Sequence, residues 1–306
     1  PGLSGHHGCV PGLHKTIVSQ CGMVPLAYDA IYNGLSVEDR AAIESFLRNE
    51  IVEPFLAYHL PGKLFPRLSL GINISWWDFF ACFWSLAAIY DPADARHRAA
   101  AELCADFVRR GLHMGVDQTG IIGEGPFYGS IETFNWFTGA EILRRMGVCD
   151  LWATETRMHA LMKARVYYLL PGLAGMLDHC DAPRHDGMYS GGLMVMLLHG
   201  QRTGDPVMQQ AWDRIAHANP TAQSFQGPLG ALGLWLWYDP KQPPVPQTPR
   251  DWPLALGGGL WGVNLLRSGW GEEDLFFALY AAGRDPGTFI HQQVDAGHFA
   301  LASLGE

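Results

Sequence analysis

The stretch Asp239-Pro-Lys-Gln-Pro-Pro-Val-Pro-Gln-Thr-Pro249 decides the architecture, because the hydrophobic period changes across it. Its prolines lack backbone donors, so it suits neither a helix interior nor a central strand and reads as a linker. Downstream, residues 260–268, 274–281 and 298–303 alternate apolar and polar side chains with period two, the pattern of half-buried strands. Upstream, the chain reads as helix after helix. Ser36-Val-Glu-Asp39 is a capping-box-like start, with a hydroxyl at the N-cap and a carboxylate three residues on. Ala42, Ile43, Phe46, Leu47, Ile51 and Phe55 then follow a period near 3.6. Further helices are expected at 75–90, 91–113, 130–146, 150–169, 190–202, 205–216 and 227–237.

These helices pair through Gly/Pro-rich connections at roughly 40–50 residues per pair, a repeat-like spacing that suits stacked helical hairpins closing into an α/α toroid or bundle. The expected fold is mainly α: an incomplete (α/α) toroid of hairpins over 1–238, the linker over 239–253, and the first strands of an antiparallel β domain over 254–306. A sheet this small cannot close its own core, so the chain reads as cut short early in that domain. Polar-aromatic loops at 61–74, 114–129 and 171–190 are expected to gather at one end, where sites usually form.

Composition narrows the function. The 306 residues are 48% hydrophobic and 17% charged, which excludes a disordered chain. The net charge of −9 comes with no Lys/Arg block, which argues against a nucleic-acid partner. No apolar run is long enough for membrane insertion. Eleven Trp, ten Tyr and fifteen Phe beside 36 Gly suit an aromatic-lined cleft as well as a Trp-rich core. The six cysteines form no CxxC pair and no zinc-finger spacing, and Cys82 and Cys104 read as small buried hydrophobes.

Three segments carry candidate chemistry. In Phe289-Ile-His291-Gln-Gln-Val-Asp295-Ala-Gly-His298, residues His291, Gln293 and Asp295 share one strand face, so His291 and Asp295 suit a His–carboxylate pair or, with His298, a metal. Asp117-Gln-Thr-Gly-Ile-Ile-Gly-Glu124-Gly-Pro-Phe-Tyr128-Gly reads as a glycine-rich loop that holds one Glu and one Tyr over a cleft, or as turn chemistry with Tyr128 as a packing lid. Gly71-Ile-Asn73-Ile-Ser-Trp76-Trp77-Asp78 runs from loop into helix. There Asn73 suits an N-cap or an anion contact, and Trp76 and Trp77 suit sugar stacking or the core.

The block Arg267-Ser-Gly-Trp270, Asp274-Leu-Phe-Phe-Ala and His291-Gln-Gln-Val-Asp295-Ala-Gly-His-Phe299 resembles the heparinase II/III-like polysaccharide lyases, which include alginate lyases. The Glu124-Gly-Pro-Phe-Tyr128-Gly loop and, loosely, Asn73 add to the likeness. The resemblance implies an α/α toroid followed by a β-sandwich, an acidic polysaccharide or oligosaccharide as substrate, and a secreted or periplasmic enzyme. It implies His291 and Tyr128 as the catalytic His and Tyr, and Asn73 as the group that neutralises the uronate carboxylate. Two departures stand out: Ile74 follows Asn73 where many members have a His, and Gln293 stands where zinc-containing members have the second His of the strand motif. The second argues against a structural zinc, and no other cofactor is expected.

The residue types suit β-elimination at a uronate. Charge building on the C5 carboxylate needs neutral donors such as the Asn73 amide and a protonated Glu124. A base must take the C5 proton and an acid must protonate the leaving O4. His291 suits the base and Tyr128 the acid, or Tyr128 serves both roles with His291 holding it deprotonated. Lys63, Arg67, Arg267 and Arg284 are candidates for drawing in a polyanion, with Arg67 and Arg267 touching substrate. Two rival readings remain: a toroid glycoside hydrolase using Asp78 and Glu124 as paired carboxylates, and a non-catalytic glycan-binding fragment.

Overall fold

The computed structural model describes residues 23–59, 76–171, 176–177, 190–218, 233–242, 252–281 and 297–303. Among the described residues, helices α1 Met23–Ile31, α2 Val37–Phe46, α3 Glu53–His59, α4 Trp76–Ile89, α5 Ala95–Gly115, α6 Gly125–Arg145, α7 Leu151–Thr154, α8 Thr156–Tyr167, α9 Ser190–Thr203 and α10 Pro206–Ala218 lead, through a short helical stretch at 233–237, into four strands. The strands are β1 Ala255–Leu256, β2 Val263–Arg267, β3 Phe276–Tyr280 and β4 Phe299–Ala302. The chain divides into two compact units, Pro1–Gly111 with Thr138–Thr154, and Leu112–Phe137 with Glu155–Glu306.

In the first unit Ser36 caps α2 as its spacing predicts: the hydroxyl accepts from Asp39 N at 3.0 Å and donates to the Asp39 carboxylate at 2.7 Å. The expected single amphipathic stripe is displaced by one wide turn. Leu47–Val52 is π-helical between α2 and α3, and it buries Leu47, Ile51 and Val52 together. The extra residue per turn rotates the helix, so Phe46, on the expected stripe, is 40% exposed while Phe55 and Leu56 are buried. Leu47 and Ile51 pack with Tyr28 and Ala81. Nearby, Phe79 stacks on Phe107 at 5.0 Å, and Phe55 meets both rings edge-on. Cys82 and Cys104 are buried free thiols.

The second unit holds the sheet, an antiparallel meander in the order β1-β2-β3-β4. Val263 pairs with Tyr280 and Arg267 with Phe276, which puts Val263, Leu265, Arg267, Phe276, Ala278 and Tyr280 on the buried face. The three longer strands fall where the period-two pattern places them; β1 is too short to show an alternation. The expected helix over 150–169 is broken at Glu155, between α7 and α8. The expected loop over 114–129 is shorter than its glycines suggest, because α6 already begins at Gly125. Gly125 takes a left-handed φ of 75°, and Pro126 follows with a ring that suits a helix's first turn. Gly129 lies inside the helix, where a Cβ would meet the Ile122 side chain at 2.6 Å.

Candidate active site

The segment leading into α6 is held by a single carboxylate. Asp117 Oδ1 accepts from Thr119 N (2.8 Å), Thr119 Oγ1 (2.6 Å) and Ile121 N (3.1 Å), and the Asp117 amide donates to Ile121 O at 2.9 Å. Gly120 has a left-handed φ of 90°, and a Cβ there would lie 2.1 Å from Ala160 O on α8. Glycine is therefore required twice over, by conformation and by space. The other Asp117 oxygen accepts from Trp261 N at 3.4 Å, which ties the turn to the loop before β2. Arg157 donates to the carbonyls of His113 (2.6 Å) and Val116 (2.7 Å), groups that the end of α5 leaves without helical donors. His113 Nε2 and Glu155 Oε2 stand 3.1 Å apart beside it.

From this turn emerge Glu124, Tyr128 and Glu132, four residues apart and so along one side of the start of α6. Tyr128 is half-buried, with its ring edge-on to Phe127 at 5.1 Å. Glu124 and Glu132 are fully buried. Burial first, then the neighbouring Glu124 charge, push the Glu132 carboxyl well above the usual carboxylate range, and Arg165 opposes them. Arg165, buried on α8, donates to Ser130 Oγ at 2.9 Å, Thr133 Oγ1 at 2.8 Å and Pro126 O at 3.4 Å. Each hydroxyl in turn donates to a helix carbonyl four residues back, Ser130 to Pro126 O (2.6 Å) and Thr133 to Gly129 O (2.5 Å). Burial lowers the Arg165 guanidinium to about 10. The result is a guanidinium staple across the first two turns of α6, with an acid pair alongside it.

A second polar pair lies in the same unit. His159 Nδ1 and His199 Nε2 are 3.1 Å apart, and burial, then the neighbouring His159, take His199 down to about 3. A cleft of about 580 Å³ is lined by Gln201, Gln209, Trp237, Tyr238 and Lys241 among others, and none of the sequence-predicted site residues borders it.

The other predicted residues fare differently. Trp76 is 1% exposed and packs edge-on against Phe79 at 5.0 Å, a core position that presents no ring face to a sugar. Arg267 is buried, with its guanidinium donating to the carbonyls of Tyr167 (3.0 Å) and Leu169 and lying over the Trp270 and Phe276 rings. Those contacts join β2 to the end of α8. His298 is exposed ahead of β4, its ring 5.7 Å from that of Tyr280. Lys63, Arg67, Asn73, Arg284, His291, Gln293 and Asp295 lie outside the described residues, as do the side chains of Trp77 and Asp78. Among the described residues no group of three or more His, Cys, Asp or Glu side chains is placed to hold a metal ion.

Glu132 and Arg165 escaped the sequence reading. The spacing of four from Tyr128 and eight from Glu124, inside the otherwise uncharged Ser130-Ile-Glu-Thr-Phe-Asn-Trp-Phe run, is the signal that marks Glu132. No comparable signal marks Arg165, because an arginine in a helix is ordinarily a solvated one.

No protein-family model matches the chain, and no curated protein matches it. Among solved structures it is similar to "Heparinase III-BT4657 gene product", with a TM-score of 0.51 and 16% identity over 85% of this chain and 35% of that one. Two structures of heparan sulfate lyase HepC from Pedobacter heparinus, one of them a mutant, give TM-scores of 0.42 and 0.40 at 14% and 13% identity. They cover 96% and 98% of this chain and 48% and 50% of theirs. The chain thus spans between a third and a half of the length of these proteins. The likeness to the heparinase III structure is one of fold: a mainly helical chain followed by a small antiparallel sheet, consistent with a helical toroid and the start of a β domain.

Proposed function

We propose that this chain is part of a polysaccharide lyase that cleaves an acidic, uronate-containing glycan by β-elimination. Tyr128 carries the reading, as a half-buried phenol on the first turns of a helix whose carboxyl neighbours are buried and whose backbone is held by Arg165. A phenol so mounted is pre-oriented, which is what proton transfer to a leaving oxygen requires. The fold likeness to a protein titled heparinase III lends support, as does the His291-to-Phe299 motif in the sequence. In this reading Tyr128 protonates the leaving O4, His291 takes the C5 proton or holds Tyr128 deprotonated, and the Asn73 amide neutralises the carboxylate.

The burial of Glu124 weighs against the hydrolase alternative. A glycosidase acid must reach the glycosidic oxygen, and Glu124 is 0% exposed. Incubation with a panel of uronic-acid polymers (alginate, heparin-like and glucuronan among them) tests the proposal. Elimination produces an ultraviolet-absorbing unsaturated sugar, whereas new reducing ends without that absorbance identify hydrolysis. Binding without turnover, unaffected by Tyr128→Phe, identifies a glycan-binding module instead. A secreted or periplasmic setting belongs to the same proposal; among the described residues no helix is long and apolar enough to cross a membrane.

A further inference from the structure

Three charged groups are enclosed together in the second unit. Glu124 and Glu132 are 0% exposed and Arg165 is 2% exposed. Among the described residues neither Glu132 oxygen finds a hydrogen-bond partner, although both are shut off from solvent. An ionised carboxylate shut off from solvent, with no donor among the described residues, is poorly stabilised, so the neutral acid is favoured. Arg165 is different. Its Nη1 and Nη2 groups donate to two hydroxyls and a carbonyl, all of them neutral, which leaves its charge to be balanced. Two ionised carboxylates beside one guanidinium would leave the enclosure with a net negative charge, and two neutral ones with a net positive charge. One proton shared between the two acids makes the enclosure neutral.

We propose that Glu132 and Arg165 are positioning residues for Tyr128: Glu132 and Glu124 hold one proton between them, with Glu132 as the neutral acid, and Arg165 locks the two helical turns that carry the phenol. The charged and titratable groups acting on this cluster are Glu124 ahead of α6, Arg165 on α8 and Tyr168 just beyond it. The raised position of Glu132 agrees with this arrangement. The locking has a geometric basis. Ser130 and Thr133 spend their protons on the carbonyls of Pro126 and Gly129, so their lone pairs face Arg165, and the bracketed residues 126–133 contain Tyr128. The positioning role rests on the lyase reading, whereas the shared proton does not.

The test uses the full chain, wild type and Glu132→Gln. At pH 7 the infrared spectrum of the wild type should contain the carbonyl stretch of a protonated carboxyl, shifted by deuterium and absent in Glu132→Gln. A group whose folded-state affinity for a proton is raised contributes stability that is complete below its ordinary value of 4.5 and is lost as pH rises. The urea midpoint of Glu132→Gln should therefore rise relative to wild type between pH 5.5 and pH 8. A spectrum without the band, or a midpoint difference constant with pH, overturns the shared proton. If Glu132→Gln does not fold, the wild-type band alone decides. On a polymer that the wild type cleaves, Arg165→Lys should lower kcat at least tenfold with KM within twofold, because an ammonium cannot span both hydroxyls. An unchanged kcat overturns the positioning role. Absence of eliminative turnover by the wild type on every polymer counts against the lyase reading and leaves the infrared and stability results to decide the proton.

Discussion

Tyr128 is where the sequence and the structure meet most closely. The sequence singles it out as a lone phenol in a glycine-rich segment, and the structure mounts it on a helix instead of a loop. Under the proposed function, Tyr128→Phe should lower kcat for eliminative cleavage by about 100-fold or more while the circular dichroism spectrum stays unchanged. Near-normal turnover would remove the phenol from the chemistry. A second single-residue effect concerns acid stability. His199 is lowered from 6.5 to about 3, so it stays neutral in the fold while the unfolded chain gains a proton below about pH 6.5. Stability is therefore lost as pH falls through that window, and His59, lowered by burial to about 4, adds to the loss. His199→Phe should lose about 2 kcal/mol less than wild type between pH 7 and 4.5, measured by urea denaturation at both values. An equal loss in both proteins would assign the acid sensitivity to other groups. Glu132 and Arg165 stayed hidden because a charged residue in a helical run carries no mark of burial in the sequence itself.

At the scale of elements, local chemistry was legible where it is short-ranged. The Ser36 cap and the alternation along β2 and β3 follow from neighbours within a few residues. The π-helical turn at Leu47–Val52 was not legible, since it lets Leu47, Ile51 and Val52 be buried together at the expense of the regular period. The Asp117 turn shows the same dependence on distant chain. Gly120 is required by its φ and equally by the backbone of α8 forty residues away. Gly120→Ala should therefore destabilise the protein by about 3 kcal/mol or more, from strain and a backbone clash that no rotamer relieves. Thermal denaturation measures it; a shift of only a degree or two would mean that the turn yields easily.

For the molecule as a whole, the sheet presents an exposed apolar face. Its outer face carries the rows Leu266–Phe277–Leu301 and Asn264–Leu279–Phe299, with Phe277 and Phe299 stacked at 6.1 Å. Phe299 is 61% and Leu301 63% exposed, on the strand that is outermost among the described residues. An exposed apolar sheet face is a template for association. The 306-residue chain should self-associate at micromolar concentration, and the double variant Phe299→Thr with Leu301→Lys should sediment as a smaller species. Identical sedimentation of the two would place any association elsewhere. By itself the sequence determined the mainly helical class, the change to strands after the proline-rich linker, and the candidacy of Tyr128, because periodicity, proline and glycine act through near neighbours. Only the tertiary structure decided that Glu132 and Arg165 are enclosed, that Trp76 is core and that Arg267 is buried and donates to backbone carbonyls. Burial and charge balance are set by residues distant in the chain, and no local pattern encodes them.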